Sequence, residues 1–196
     1  MVNGTSGVSL GSRFVVVSGL PGSGKSAFAS ALPEELDLLF LELDLWRVDA
    51  MRHHRLSWPW LLLSWFSNPW PFAAALERRA AHAATRGVVV SLPSHQRLRL
   101  PLIHRLSAAG IHVLITHGPA QHCLRSFLER EHRTGRHLGV SHWMRYSRAM
   151  HRLYATSGYE PLRLKIFASD GSRRPMACLL ADARARPVAP ANSWPR

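Results

Sequence analysis

Short apolar runs alternate with amphipathic or alanine-rich stretches along most of the chain. Residues 13–18 (Arg-Phe-Val-Val-Val-Ser), 36–43 (Leu-Asp-Leu-Leu-Phe-Leu-Glu-Leu), 87–92 (Gly-Val-Val-Val-Ser-Leu) and 111–116 (Ile-His-Val-Leu-Ile-Thr) are rich in aliphatic and β-branched side chains. Each reads as a buried strand, and 162–167 alternates as a fifth. Between them the spacing predicts helices. One is Ala-rich over 27–32, with Pro33 as its end, and a mostly helical region spans about 46–85. An amphipathic segment covers 98–109 with Gly110 as its stop, and a helix opened by Pro119 runs through about 130. Two more are expected near 141–154 and 175–184. Strands alternating with helices imply parallel βαβ units, hence an α/β three-layer sandwich with about five parallel strands and helices on both faces. Ligands of such sheets lie at the C-terminal strand ends, where Ser18, Gly19, Asp44, Ser91 and Thr116 fall.

The length of 196 residues suits one well-buried domain. We expect it over 13–186, with a loose Gly/Ser-rich arm at 1–12 and a proline-containing disordered tail at 187–196. The arm lacks the charge and apolar pattern of a leader, and two cysteines make no disulfide framework, so a cytoplasmic setting is expected. Residues 56–72 form the longest apolar stretch, but Pro59, Pro69 and Pro71 interrupt it. No transmembrane segment is expected; an interfacial patch or a dimer contact through this Trp-rich segment stays open. The net charge of +13 invites a polyanion such as nucleic acid. It equally reflects few acidic residues and an Arg-for-Lys bias of the kind a GC-rich genome produces.

The motif that changes the picture is Gly19-Leu20-Pro21-Gly22-Ser23-Gly24-Lys25-Ser26, which spells G-x-x-x-x-G-K-S between a strand and a helix. Its glycines let backbone N–H groups approach phosphate oxygens, and the helix N-terminus favours the anion. Gly19, Gly22, Ser23, Gly24, Lys25 and Ser26 are therefore the expected nucleotide-binding residues, with Lys25 reaching the β- and γ-phosphates and Ser26 ligating Mg²⁺. Only two of the 25 basic residues are lysines, and one of them occupies this loop, where a compact ammonium fits between phosphates. The architecture thus becomes a P-loop NTPase-type sandwich with ATP and Mg²⁺ as cofactors.

Asp44 ends the second strand beside the loop and is the expected general base toward an acceptor hydroxyl; it also suits a helix N-cap. Glu42, on the same strand face, either helps hold a metal-bound water or is an ordinary structural carboxylate. Arg47 is placed to grip the acceptor or to join Arg52 and Arg55 on a solvated face. Arg125, Arg130, Arg133 and Arg136 approach the Gly135 turn and read as a lid over about 125–140, with Arg133 first and Arg130 second as charge stabilisers. A solvated helix with a Glu129–Arg133 pair is the alternative. The twelve histidines show no metal-ligand spacing, and nothing beyond His122 supports Cys123 as a nucleophile.

Over roughly 14–167 these residues resemble the P-loop kinase group of polynucleotide 5′-kinases, zeta toxins and chloramphenicol phosphotransferase. The nearest pattern is phage-type polynucleotide 5′-hydroxyl kinase, whose G-x-P-G-S-G-K-S loop precedes a strand ending D-x-[aromatic]-R, here Asp44-Leu45-Trp46-Arg47. The resemblance implies Asp44 as base, with Trp46 and Arg47 at the acceptor, and lid arginines at Arg130 and Arg133. The chain departs from the pattern at Ser91, where many relatives carry an acidic residue. The 46–85 region lies where this group builds its acceptor pocket, so Trp58, Trp60, Trp65 and Trp70 either line it or belong to the core. The expected activity is ATP-dependent phosphoryl transfer to a hydroxyl, on nucleic acid or a nucleotide first. A small-molecule acceptor such as an antibiotic or metabolite comes second, and a catalytically weak nucleotide-binding interaction module third.

Overall fold

The computed structural model describes residues 13–42, 68–92, 98–135 and 139–186. The arm at 1–12, the tail at 187–196 and most of the Trp-rich segment lie outside the described residues. In chain order the elements are β1 (Phe14–Gly19), α1 (Lys25–Leu36), β2 (Leu38–Glu42), α2 (Pro69–His82), β3 (Gly87–Ser91), α3 (Leu100–Ala108) and β4 (Ile111–His117). Next come α4 (Ala120–Arg133), α5 (Val140–Ala155), a 3-10 turn (Ser157–Leu162), β5 (Arg163–Lys165) and α6 (Met176–Ala185).

The five strands form one parallel sheet in the order β2-β3-β1-β4-β5. Consecutive β-branched residues can fill a strand only when both its faces are covered. That holds here, since Val15, Val16, Val17, Val88, Val89 and Val90 are all fully buried. Helix α1 packs on β1, β2 and β3 and against α6, whereas α2 and α3 pack against each other and on β3 and β4. The predicted α/β sandwich is thus observed, with the switch in strand order at β1.

Two local expectations need correction. Pro33 does not end α1; the helix runs on to Leu36. Proline deletes only its own N–H bond, and so close to the end the loss is tolerated. The stop is Asp37, in the left-handed region at φ 54°, whose N–H donates to the Pro33 carbonyl at 3.0 Å. The fifth strand is also shorter than the alternation over 162–167 suggests. It covers Arg163–Lys165, and Phe167 instead makes an antiparallel bridge to Arg173. No helix among the described residues is long and apolar enough to cross a membrane.

Two histidines of β4, the buried His112 and the half-buried His117, are held from protonation. Burial, then Arg186, pushes His112 down to about 4. Burial, then the His151 imidazole stacked on it and the Arg163 and Lys165 charges, pushes His117 down to about 4. The unfolded chain, with ordinary imidazoles, therefore binds more protons between about pH 6.5 and 4. Stability from these groups is complete above pH 6.5 and is lost as the pH falls toward 4. Thermal melts should show Tm dropping between pH 7.5 and 5, and His112→Gln should flatten that slope. A Tm independent of pH over this range would contradict the buried neutral imidazoles.

Candidate active site

The phosphate loop is built by the meeting of β1, β4 and α1. Register sets Gly19 opposite Thr116, and the gap between them admits no side chain: a Cβ at Gly19 would lie 2.0 Å from Thr116 Oγ1. Across that gap runs a hydroxyl chain. Ser23 Oγ lies 2.7 Å from the Leu20 carbonyl, to which it donates, and 2.7 Å from Thr116 Oγ1, a pair in which either hydroxyl can be the donor. Thr116 Oγ1 also donates to the Ser18 carbonyl at 3.2 Å. Ser23 and Thr116 are fully buried. Gly22 and Gly24 take left-handed conformations, φ 83° and 78°, which turn the loop into the first turn of α1. Lys25 opens that helix and is buried, only 7% exposed. Ser26 follows it, and its Oγ donates to Glu42 Oε1 at 2.9 Å.

Two helices close over the loop from outside. A Cβ at Gly22 would sit 1.9 Å from the Cys123 carbonyl oxygen and 2.8 Å from Phe127 N, so α4 rests directly on the loop. Trp143 of α5, 3% exposed, donates its indole N–H to the Pro21 carbonyl at 3.0 Å. A third contact comes from beyond β5, where Arg173 Nη2 lies 3.4 Å from the Gly22 carbonyl and its guanidinium stands 5.6 Å over the Phe167 ring. An exposed guanidinium at the lip of a phosphate loop is placed to meet an anionic ligand.

The structure thus brings Gly19, Gly22, Ser23, Gly24, Lys25 and Ser26 together in one loop, with Glu42 on the Ser26 hydroxyl. Asp44, Trp46 and Arg47 lie outside the described residues, as does Arg136. On α4, Arg133 is exposed near the helix end. The Glu129–Arg133 pair that the spacing allows is not among the ion pairs of the described residues. Arg130 instead pairs with its neighbour Glu131 at 3.1 Å. Burial, opposed by Arg173, pushes the Cys123 thiol up to about 11, which leaves no thiolate to act as a nucleophile at neutral pH. Of the four tryptophans of the Trp-rich segment, Trp70 is described, and it is exposed at the start of α2.

Trp143, Glu131 and Arg173 carry no signal in the sequence. Arg173 stands 151 positions from Gly22, and nothing local separates it from the other arginines. Thr116 was legible only as a polar residue at a strand end.

A glycine cradle at the switch point of a parallel sheet, opening into a helix that begins Lys-Ser, defines a P-loop kinase-like fold. Comparison with solved structures agrees. An unliganded protein from Janibacter sp. HTCC2649, described as a sugar kinase, matches with a TM-score of 0.55 at 23% identity, over 89% of this chain and 94% of that one. A gluconokinase from Sinorhizobium meliloti 1021 matches with a TM-score of 0.49 at 24% identity, over 88% and 89% respectively. No protein-family model matches the chain, and neither does any curated protein. The P-loop kinase-like fold expected from the motif is therefore observed, while the Janibacter neighbour gives no counterpart to the narrower likeness to polynucleotide 5′-kinases and zeta toxins.

The hydroxyl chain makes a local prediction. Thr116→Val keeps the shape and removes the hydroxyl that bonds Ser23 and the Ser18 carbonyl, so it should destabilise the fold by about 1–2 kcal/mol. ATP affinity should weaken with it. Denaturant unfolding and equilibrium titration with ATP would check both, and an unchanged affinity would dissociate the chain from the shape of the cradle.

Proposed function

We propose that this chain is an ATP- and Mg²⁺-dependent kinase that transfers the γ-phosphoryl group to a hydroxyl of a small molecule of the sugar or polyol class. The observation that carries the reading is the preformed cradle: two left-handed glycines, a braced Ser23, and Lys25 and Ser26 on the first turn of α1. A loop of this shape turns successive N–H groups toward phosphate oxygens without reorganisation, which is where phosphoryl-transfer enzymes obtain much of their rate. The small acceptor is favoured by the described sugar kinase whose fold spans most of this chain. The nucleic-acid preference rested on the Asp44/Arg47 pattern, on net charge and on the aromatic cluster, and no contact among the described residues supports it.

The residues fit a hard divalent cation. Ser26 Oγ and Glu42 Oε1 lie 2.9 Å apart, both oxygen donors of the kind Mg²⁺ takes. Ser26 would hold the ion directly and Glu42 through water. When bound, the ion supplies neutralisation of the β- and γ-phosphate charge. Lys25 compensates the same oxygens, and Arg173 covers the outer side of the loop. The acceptor oxygen bonds to the γ-phosphorus as the bond to the β,γ-bridging oxygen breaks, and ADP leaves. Asp44, two positions after the last residue of β2 in the sequence, takes the hydroxyl proton.

Transfer of label from γ-³²P-ATP to a panel of aldonates, sugars, polyols, nucleosides and 5′-hydroxyl oligonucleotides tests this reading. Label should appear on a small hydroxyl compound and vanish with Lys25→Ala. Asp44→Asn should lower kcat at least about 100-fold. Turnover within about threefold of wild type would remove Asp44 from the base role. Turnover of a small acceptor should change little between 50 and 200 mM salt, whereas an oligonucleotide acceptor would lose affinity by about 10³ or more. A second reading, a weakly catalytic nucleotide-binding module, is favoured by Ser91, whose buried hydroxyl stands without a hydrogen-bond partner at the end of β3. ATP binding without transfer to any acceptor would select it.

A further inference from the structure

Glu131 is a buried carboxylate on a helix that is otherwise strongly basic. It is 3% exposed, while its neighbours on the same turn, His132 and Arg133, are exposed. One oxygen, Oε1, accepts from Arg130 Nε at 3.3 Å and Nη2 at 3.1 Å; the other, Oε2, is buried with no hydrogen-bond partner. A carboxylate retained only for stability would satisfy both oxygens, because a half-partnered buried charge costs more than an apolar replacement. The side-chain hydrogen bonds of Glu131 both come from Arg130. The same guanidinium is 5.4 Å from the Phe127 ring centroid, so it is held between a carboxylate and an aromatic face.

Phe127 ties this arrangement to the phosphate loop. Cys123, Phe127 and Glu131 are the buried residues of α4, spaced one turn apart, and the first two lie against Gly22. Arg130 thus stands one turn beyond the loop contact. With Nε and Nη2 engaged by Glu131, Nη1 remains as a donor that none of those contacts uses.

We propose that Glu131 is a positioning residue: with Phe127 it fixes the Arg130 fork so that the free Nη1 edge meets the phosphoryl group in transfer. The proposal rests on the kinase reading. It separates Glu131 from residues that bind nucleotide as such, since a pre-aimed guanidinium acts on charge that develops only in transfer.

The experiment compares the affinity of the full chain for Mg²⁺–ADP with its affinity for Mg²⁺–ADP plus aluminium fluoride, a planar stand-in for the migrating phosphoryl group. It requires no acceptor. Glu131→Gln should leave ADP affinity within about twofold and weaken the aluminium fluoride complex at least tenfold. Arg130→Lys, a change at a half-exposed position that keeps the charge and loses the fork, should do the same even if Glu131→Gln fails to fold. The double variant should be no weaker than Arg130→Lys alone. Wild-type affinity for the aluminium fluoride complex in folded Glu131→Gln, or losses that add in the double variant, would overturn the positioning role while leaving the kinase reading intact. A wild-type chain that binds ADP in neither form would instead overturn the kinase reading, and this proposal with it.

Discussion

The buried hydroxyl chain from Thr116 through Ser23 to the Leu20 carbonyl is the interaction on which the rest of the site depends. It joins the end of β4 to the turn after β1, two segments that are neighbours only because the sheet places β4 beside β1. It braces from inside the sheet a loop in which two glycines take left-handed conformations. With it, the turn is fixed before any ligand arrives, and the first residues of α1 present Lys25 and Ser26 from a rigid base. The apolar strands contribute by making that junction dry. In such surroundings a hydrogen bond is stronger and an unmade one costs more.

A second layer of constraint presses on the loop from outside. Helix α4 rests on Gly22, Trp143 of α5 holds the Pro21 carbonyl, and Arg173 reaches the Gly22 carbonyl from the turn after β5. These three contacts come from segments far apart in sequence, so the loop serves as the common seat of the C-terminal half of the sheet. This explains why the helix bearing Arg130 and Arg133 begins from a fixed position. It also explains why Gly22 tolerates no side chain: its neighbours are backbone atoms of a helix, which cannot rotate aside. The same packing buries Cys123, which removes its thiol from chemistry.

How much of this was legible in the sequence follows from how far each feature reaches along the chain. The strands were readable because runs such as Val15-Val16-Val17 and Val88-Val89-Val90 fit only a sheet covered on both faces. The cradle was readable because its parts are contiguous, from Gly19 to Ser26. Pro33 misled because a proline near a helix end loses one hydrogen bond rather than the helix, and the left-handed Asp37 that stops it is not a residue type that announces the turn. Arg173 and Glu131 were illegible for a different reason. Among 25 basic residues an important arginine looks like any other, and only tertiary packing separates a buried carboxylate from a solvated one. The narrow likeness to polynucleotide kinases rested on Asp44-Leu45-Trp46-Arg47, a short pattern whose meaning depends on what those side chains face.

The central claim is that the loop from Gly19 to Ser26 is a preformed triphosphate cradle. Amide hydrogen exchange with and without Mg²⁺–ATP tests it most directly, because the ligand would be held by the backbone N–H groups themselves. The account predicts marked slowing at residues 22–26, little change in the already protected centres of β1 and β4, and loss of the effect in Lys25→Ala. Unchanged exchange at 22–26 in saturating Mg²⁺–ATP would contradict it.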